Sequence, residues 1–326
     1  MDGSALSNSP SGEEKRSETR GGLLARVALM LGNFVIGVGV LAPAGMLDQL
    51  ASGLEVTIAD AGLLVTYGAV VLCFGSPLMA WATTRLDRRT LLAGAILVLA
   101  LGHAASALAP GYGTLLATRL LMLVFAALYT PQAASTVALI VPEKARSSAI
   151  AFVFLGWSLA VAVGLPIVAT VADHFGWRAT FAVLGGLAAA SGALLAMSLP
   201  LGLKGAPVSF ATWTAVGRNR LILMLLAITV LQTAGPFMIF TYLAPLAKDL
   251  AGASPDAIAF LFAVGGVTGF IGNLIATRLV VGWGAFLVSC LFQLIMLSGL
   301  VAWSLGSGVL SLMAFGVGLW GLGFAR

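Results

Sequence analysis

Arg119 interrupts an otherwise apolar run, Leu115-Leu116-Ala117-Thr118-Arg119-Leu120-Leu121. A cation in hydrocarbon costs several kcal/mol unless it is paired or wet, so such a side chain normally faces the interior of a helix bundle. At about five residues below a membrane surface it lies roughly 7 Å deep, and snorkelling to the headgroups is the competing account. His103 could exchange a proton near neutral pH. Arg85, Asp87, Arg88 and Arg89 crowd one short loop, where cations fix orientation. Gly156, Ala160 and Gly164 recur every fourth residue ahead of Pro166. Small residues at that spacing let helix backbones approach, and proline bends the helix, which favours a pliable helix packed between two parts of a bundle. Cys73 and Cys290 each lie inside an apolar run, out of reach of metal-binding or disulfide partners, and read as packing residues. The chain offers no clear nucleotide-binding loop, metal cluster or catalytic constellation. That points away from an enzyme and from ATP as an energy source.

The elements that hold these residues follow from composition. Hydrophobic residues make up 60% of the chain, charged residues 9%, and the mean hydropathy is +1.06. A water-soluble protein of 326 residues could not hide so much apolar surface. A helix crosses a hydrocarbon core with about 20 apolar residues, and ten such spans are expected, at 24–47, 60–83, 90–109, 114–140, 147–172, 178–199, 220–247, 256–277, 281–304 and 308–325. None alternates as a membrane β-strand would. Cations fix the orientation. With the N-terminus in the cytoplasm, the inner side holds fourteen, namely Lys15, Arg16, Arg20, Arg26, Arg85, Arg88, Arg89, Lys144, Arg146, Lys204, Arg218, Arg220, Arg278 and Arg326. The outer side holds two, Arg178 and Lys248. The net charge of +5 is thus an orientation signal, and nucleic acid is not an expected partner.

Four units are expected: a disordered cytoplasmic tail at 1–21, a six-helix bundle at 22–199, a cytoplasmic connecting loop at 200–219, and a four-helix bundle at 220–326. In the loop, Phe210 and Trp213 beside Arg218 and Arg220 suit a segment lying at the membrane surface. The two bundles share motifs about 200 residues apart. Phe34-Val35-Ile36 and Leu41-Ala42-Pro43 match Phe237-Met238-Ile239 and Leu243-Ala244-Pro245. Asp60-Ala61 and Thr84-Arg85-Leu86 match Asp256-Ala257 and Thr277-Arg278-Leu279. Four matches in one order predict a parallel repeat, the design of transporters whose halves rock around a central site. A six-plus-six repeat calls for two helices after Arg326, so the second half is expected to be incomplete.

The loop 80–89, the fifth-span stretch Ala160-Val161-Ala162-Val163-Gly164-Leu165-Pro166, the outer loop Gly176-Trp177-Arg178 and Arg119 together resemble the major facilitator superfamily. The resemblance is nearest to its twelve-span drug:proton antiporter branch and covers the chain from about residue 24 onward. It implies an all-α membrane protein of the major facilitator fold, with ten spans present and the last two missing. It also implies that the loop acts as a latch on one conformation. Of that family's loop pattern Arg85, Arg88 and Arg89 are kept, while an Asp is replaced by Thr84; Asp87 could pair with a neighbouring Arg instead. Arg119 matches an Arg implicated in proton transfer, and Gly164 and Pro166 approximate the antiporter pattern. The resemblance lines the substrate cavity with spans one, four, seven and ten, whose polar or aromatic residues include Asn33, Tyr129, Thr130, Gln132, Gln232, Thr233, Tyr242 and Trp320. Such a lining suits a lipophilic or weakly polar small molecule. The expected function is proton-coupled efflux of a small molecule by alternating access, from the bacterial cytoplasmic membrane. No cofactor is expected, the proton gradient supplying energy, and the protein is expected to be a monomer in the lipid bilayer. An importer of the same fold and a transport-dead fragment with a packing or regulatory role are the alternatives.

Overall fold

The computed structural model describes residues 12–83, 85–205 and 210–324, with side chains from residue 22 and, after the second gap, from 214. Thr84, Arg326 and the side chains of Phe210 and Trp213 therefore lie outside the described residues. All regular structure among the described residues is helical: α1 Gly12–Leu41, α2 Leu47–Leu54, α3 Ile58–Ala82, α4 Arg88–Ala107, α5 Tyr112–Ile140, α6 Arg146–Leu159, α7 Leu165–Ser198, α8 Phe210–Arg218, α9 Arg220–Thr241, α10 Leu243–Ala251, α11 Pro255–Trp283, α12 Ala285–Leu305 and α13 Leu310–Phe324. Among the described residues, eight helical stretches are long and apolar enough to cross a membrane. One of them, Glu143–Ser198, runs for 56 residues, far beyond the roughly 20 that hydrocarbon requires. It turns at Gly176, where φ is +82°, a left-handed backbone that glycine adopts at little cost. That stretch makes two passes, and α13 adds a shorter apolar helix of 15 residues. The ten expected spans thus correspond to helices of the fold.

Two boundaries differ from the sequence reading for physical reasons. α1 begins at Gly12, so residues 12–21, read as tail, continue the first helix. Spans 24–47 and 220–247, expected to be unbroken, each break at their Leu-Ala-Pro motif. After α1 a 3₁₀ turn, Ala42–Gly45, leads into α2; α9 ends at Thr241 and α10 follows at Leu243. Proline has no N–H to continue the ladder, so each motif ends its long helix.

The repeat is carried in these details. Each half has a long helix, a proline break, a short helix ending in a left-handed residue, and a capped second long helix. The left-handed residues are Glu55 (φ 56°) and Gly252 (φ 59°). The caps are Thr57, which shares a capping box with Asp60, and Ser254, whose hydroxyl accepts from the Ala257 N–H.

α1 is the axis of the first half, with Leu29, Asn33 and Ile36 fully buried. A Cβ placed on Gly156 of α6 would sit 2.3 Å from the Met30 carbonyl oxygen, so the two backbones are in contact. Gly164 likewise abuts Val38 of α1, and Ala160 abuts Gly37. The small-residue stripe expected at the interface between halves therefore packs within the first half. The interface itself uses Ala162, against which Gly266 of α11 lies so closely that a Cβ would fall 2.2 Å from the Ala162 Cα. The halves also touch beyond the two proline breaks, where Lys248 of α10 pairs with Asp48 of α2 at 3.2 Å.

At the opposite end, Asp87 departs from its expected pairing with an Arg. Its Oδ1 accepts from the backbone N–H groups of Arg89 and Thr90, capping α4, and its Oδ2 accepts from the Gly202 N–H at 2.6 Å. The Arg88 N–H adds a bond to the Leu203 carbonyl, 2.9 Å, and the Arg88 guanidinium reaches Gln132. The start of α4 thereby clamps the chain leaving α7. Desolvation raises the Asp87 carboxyl, but bonds from Thr90, Gly202, Arg89 and Leu203 together outweigh it and hold the pKa below the ordinary 3.8. With a depressed folded value, the contribution is complete above about pH 4 and is lost as pH falls through the folded pKa. We expect Asp87→Ala to lower unfolding stability in detergent by about 1 kcal/mol at neutral pH, as loss of an N-cap does. We also expect the variant to lose part of the wild-type decline in acid. Unfolding curves of equal pH dependence would contradict this role.

Candidate functional site: a cavity between the halves

A cavity of about 310 Å³ lies between the halves, at the lower end of the range for small-molecule sites. The first half contributes Leu41, Trp157, Ser158 and Val161. The second half contributes an aromatic group centred on Phe240, whose ring lies 6.0 Å from Phe237, 5.6 Å from Phe262 and 6.3 Å from Trp320, all edge-on. Phe270 and Phe324 extend it, and Asn273 supplies an amide. None of the lining residues carries a charge. Edge-to-face rings held this way present a rigid apolar wall.

The walls are shaped where the helices lose regularity. Pro166 cannot donate to the carbonyl four residues before it, and the chain there widens into a π-helical turn, Ala160–Gly164. That turn carries Val161 into the cavity and Ala162 against Gly266. Leu41 and Leu243 line the cavity from the two proline breaks, and Pro236 of α9 lies in the wall.

Of the residues expected to line the cavity, the structure places Trp320 there. Asn33, Thr130 and Trp157 form a chain behind the wall. The Asn33 amide donates to the Val153 carbonyl (3.0 Å), the Thr130 hydroxyl donates to Asn33 Oδ1 (2.9 Å), and the Trp157 indole N–H donates to Thr130 (3.1 Å). Asn33 and Thr130 therefore act at one remove, fixing a ring that the cavity uses. Tyr129 is fully buried and its hydroxyl reaches the Leu29 carbonyl at 3.3 Å. Gln132 takes up Arg88. Gln232 and Thr233 sit on α9 outside the lining, the Thr233 hydroxyl donating to the Thr229 carbonyl. Tyr242 bridges the halves by resting its hydroxyl on α3, where Gly62 leaves it room. The polar residues were assigned to the cavity on type, but buried hydroxyls and amides must first find partners, and Asn33, Tyr129, Thr130 and Gln132 found them inside the first half. Phe237, Phe240, Phe262, Phe270 and Trp157 were missed because an aromatic residue in an apolar helix carries no marker of its face. The loop cations also separate: Arg85 is exposed and Arg88 is buried on Gln132.

Arg119 is fully buried in the first half, as expected of an intramembrane cation, and does not snorkel. Its Nη2 donates to the Gly39 carbonyl at 3.1 Å and to the Val40 carbonyl at 3.3 Å. Gly39 stands four residues before Pro43, the position at which proline withholds the helix's own donor. The guanidinium thus replaces a missing N–H and places a cation at a helix C-terminus, where the dipole favours it. Its charge also rests on the face of Phe181, 5.6 Å from the centroid. Two opposed effects attend its removal: loss of these bonds and relief of a buried charge. The informative comparison is a double-mutant cycle. Pro43→Ala, which restores an N–H to Gly39, should be more favourable in an Arg119→Leu background than in wild type by about 1 kcal/mol. Equal effects in both backgrounds, measured by unfolding in detergent, would rule out the substitution of one donor for the other.

Comparisons with known proteins agree with this architecture. Residues 29–325 match the family model described as Major Facilitator Superfamily. The chain is 32% identical over 253 residues to an inner membrane transport protein, YdhP, of Escherichia coli (strain K12), covering 78% of this chain and 65% of that protein. It therefore spans about two thirds of the length of that relative. It is 26% identical over 265 residues to a probable sugar efflux transporter of Helicobacter pylori (strain ATCC 700392 / 26695), covering 81% of this chain and 68% of that protein. Among solved structures, a bacterial homologue of the human lysosomal transporter Spinster, inward-facing and occupied, superposes with a TM-score of 0.72 at 15% identity. That match covers 91% of this chain and 71% of the other. A D-xylose–proton symporter superposes with a TM-score of 0.67 at 16% identity, over 93% of this chain and 80% of the other. With the repeat, the proline breaks and a cavity between halves in place, the chain belongs to the major facilitator superfamily.

Proposed function

We propose that the protein is a secondary active transporter that exports a lipophilic or weakly polar small molecule in exchange for protons. The observation that carries this reading is the uncharged, aromatic cavity of about 310 Å³ between two repeat-related halves. A polyol would leave most of its hydroxyls unpaired there, since Ser158 and Asn273 are the polar side chains of the lining outside the indoles, and each unmet polar group costs about 1–3 kcal/mol. A flat apolar molecule would meet ring faces on several sides. Efflux is favoured over uptake by the names of relatives, one being a probable sugar efflux transporter. The cytoplasmic side is assigned to the end carrying Arg85, Arg88, Arg89, Lys144, Arg146 and Lys204, since cations are retained on that side. The cargo leaves chemically unchanged, and the energy comes from the proton gradient with no cofactor. The working unit is the monomer.

Everted membrane vesicles containing the protein should accumulate members of a panel of uncharged aromatic compounds when respiration energises them, and a protonophore should collapse the accumulation. Phe240→Ala should raise the half-saturating concentration about tenfold, equivalent to about 1.4 kcal/mol, the order expected for losing one aromatic contact. Vesicles holding folded protein that accumulate no panel member, or that do so unaffected by the protonophore, would overturn the reading.

A further inference from the structure

Beside the cavity, in the core of the first half, lies a second group of polar side chains that the transport reading does not use. His103 of α4 is fully buried, and neither Nδ1 nor Nε2 has a hydrogen-bond partner. Its ring stacks on Phe181 of α7 at 5.8 Å, with an interplanar angle of 24°. Phe181 also carries the Arg119 guanidinium, whose Nε and Nη1 are likewise without partners. Both side chains converge on one residue of α1: Arg119 donates to the Gly39 carbonyl, and a Cβ on Gly39 would fall 2.7 Å from His103 Nε2.

We propose that His103 is a proton-binding residue, and that its charge decides whether Arg119 stays docked on the broken end of α1. Buried imidazole nitrogens without partners ordinarily cost stability, and the enclosed packing around this ring leaves little space for a ligand larger than a proton. None of the twelve Asp and Glu residues lies in the apolar middle of a span. Among the described residues, His103 is therefore the side chain in the middle of a span whose ordinary pKa lies nearest neutral pH. Three elements pack on it. α5 presents Arg119. α7 presents Phe181, its Arg178 being turned to Trp177 and the Ala109 carbonyl. α1 presents Gly39 and has no charged residue between Arg26 and its break.

A proton on His103 places a second positive charge against the guanidinium in a site of low dielectric with no carboxylate to absorb it. The two cations then favour an arrangement in which Arg119 leaves the Gly39 and Val40 carbonyls. α1 thereby loses the donor that replaces the N–H of Pro43, at the point where it enters the cavity wall through Leu41. Proton binding and the shape of α1 become one equilibrium, each biasing the other. The use of this equilibrium in transport rests on the proton-coupled reading above, but the titration stands apart from it.

The chain has two histidines, so His174→Gln leaves one imidazole to observe. In that background, with histidine isotopically labelled and the protein in nanodiscs, NMR should report one titrating ring. Arg119→Gln should bind its proton about tenfold more tightly, a rise of one pH unit in the midpoint. Pro43→Ala, which gives the Gly39 carbonyl its own donor, should move the midpoint in the same direction. It serves as the second route if Arg119→Gln does not fold. The Gly39 and Val40 amide signals should shift with the same midpoint as the ring. A ring that does not titrate in either variant, or midpoints unchanged by both, would overturn the proposal. Vesicles that fail to transport while the ring behaves as described would refute the transporter reading and leave this one standing.

Discussion

Hydrocarbon offers no water to a backbone carbonyl, so an N–H that proline removes from a spanning helix leaves a carbonyl that the surrounding fold must answer. Pro77, Pro131 and Pro236 stay within continuous helices, whereas three other prolines coincide with a change in the backbone or its partners. At Pro43 a side chain is brought in, Arg119 donating to Gly39 and Val40. At Pro166 the helix widens through a π-helical turn. At Pro245 the helix ends and a short one begins. Residues from all three places, Leu41, Val161 and Leu243, line the cavity. The irregular backbone and the cavity thus share one cause.

The contacts within the first half and between the halves differ in kind. Inside the first half, α6 lies against α1 with backbone touching backbone at Gly156, and the chain Asn33–Thr130–Trp157 ties α1, α5 and α6 together. Between the halves, the close approach at Ala162 and Gly266 and the Tyr242 hydroxyl resting on Gly62 are accompanied by an exposed ion pair, Asp48–Lys248. Such a pair contributes about 0–1 kcal/mol. A weak latch suits two bodies that must part and meet again, while the packing around α1 suits a body that moves as a unit.

Much of the architecture was legible in the sequence because a bilayer imposes length and hydropathy on every span. The motifs Leu41-Ala42-Pro43 and Leu243-Ala244-Pro245 marked the repeat, though not the helix breaks they create. Arg119 was legible as a buried interior cation, since charge in hydrocarbon is conspicuous. Its partner was not, because a backbone carbonyl freed by a proline some 76 residues earlier leaves no trace in residue type. The cavity was the least legible part. Asn33, Tyr129 and Thr130 advertise polarity, yet satisfying their own hydrogen bonds drew them into the bundle. Phe240 advertises nothing in an apolar helix and proves to be the hub of the aromatic wall. Asp87 was read as an ion-pair partner, whereas short acidic side chains at helix starts more readily take backbone donors.

The clamp at the start of α4 also bears on biosynthesis. Asp87, Arg88 and Gln132 join Gly202 and Leu203, and every participant precedes α8 in the chain. When residue 203 emerges from the ribosome, the first half holds all the partners it needs to lock its own exit strand, while α9 is still within the ribosomal tunnel. The second half then inserts beside a finished template, a sequence of events that limits mispairing between two bundles of similar pattern.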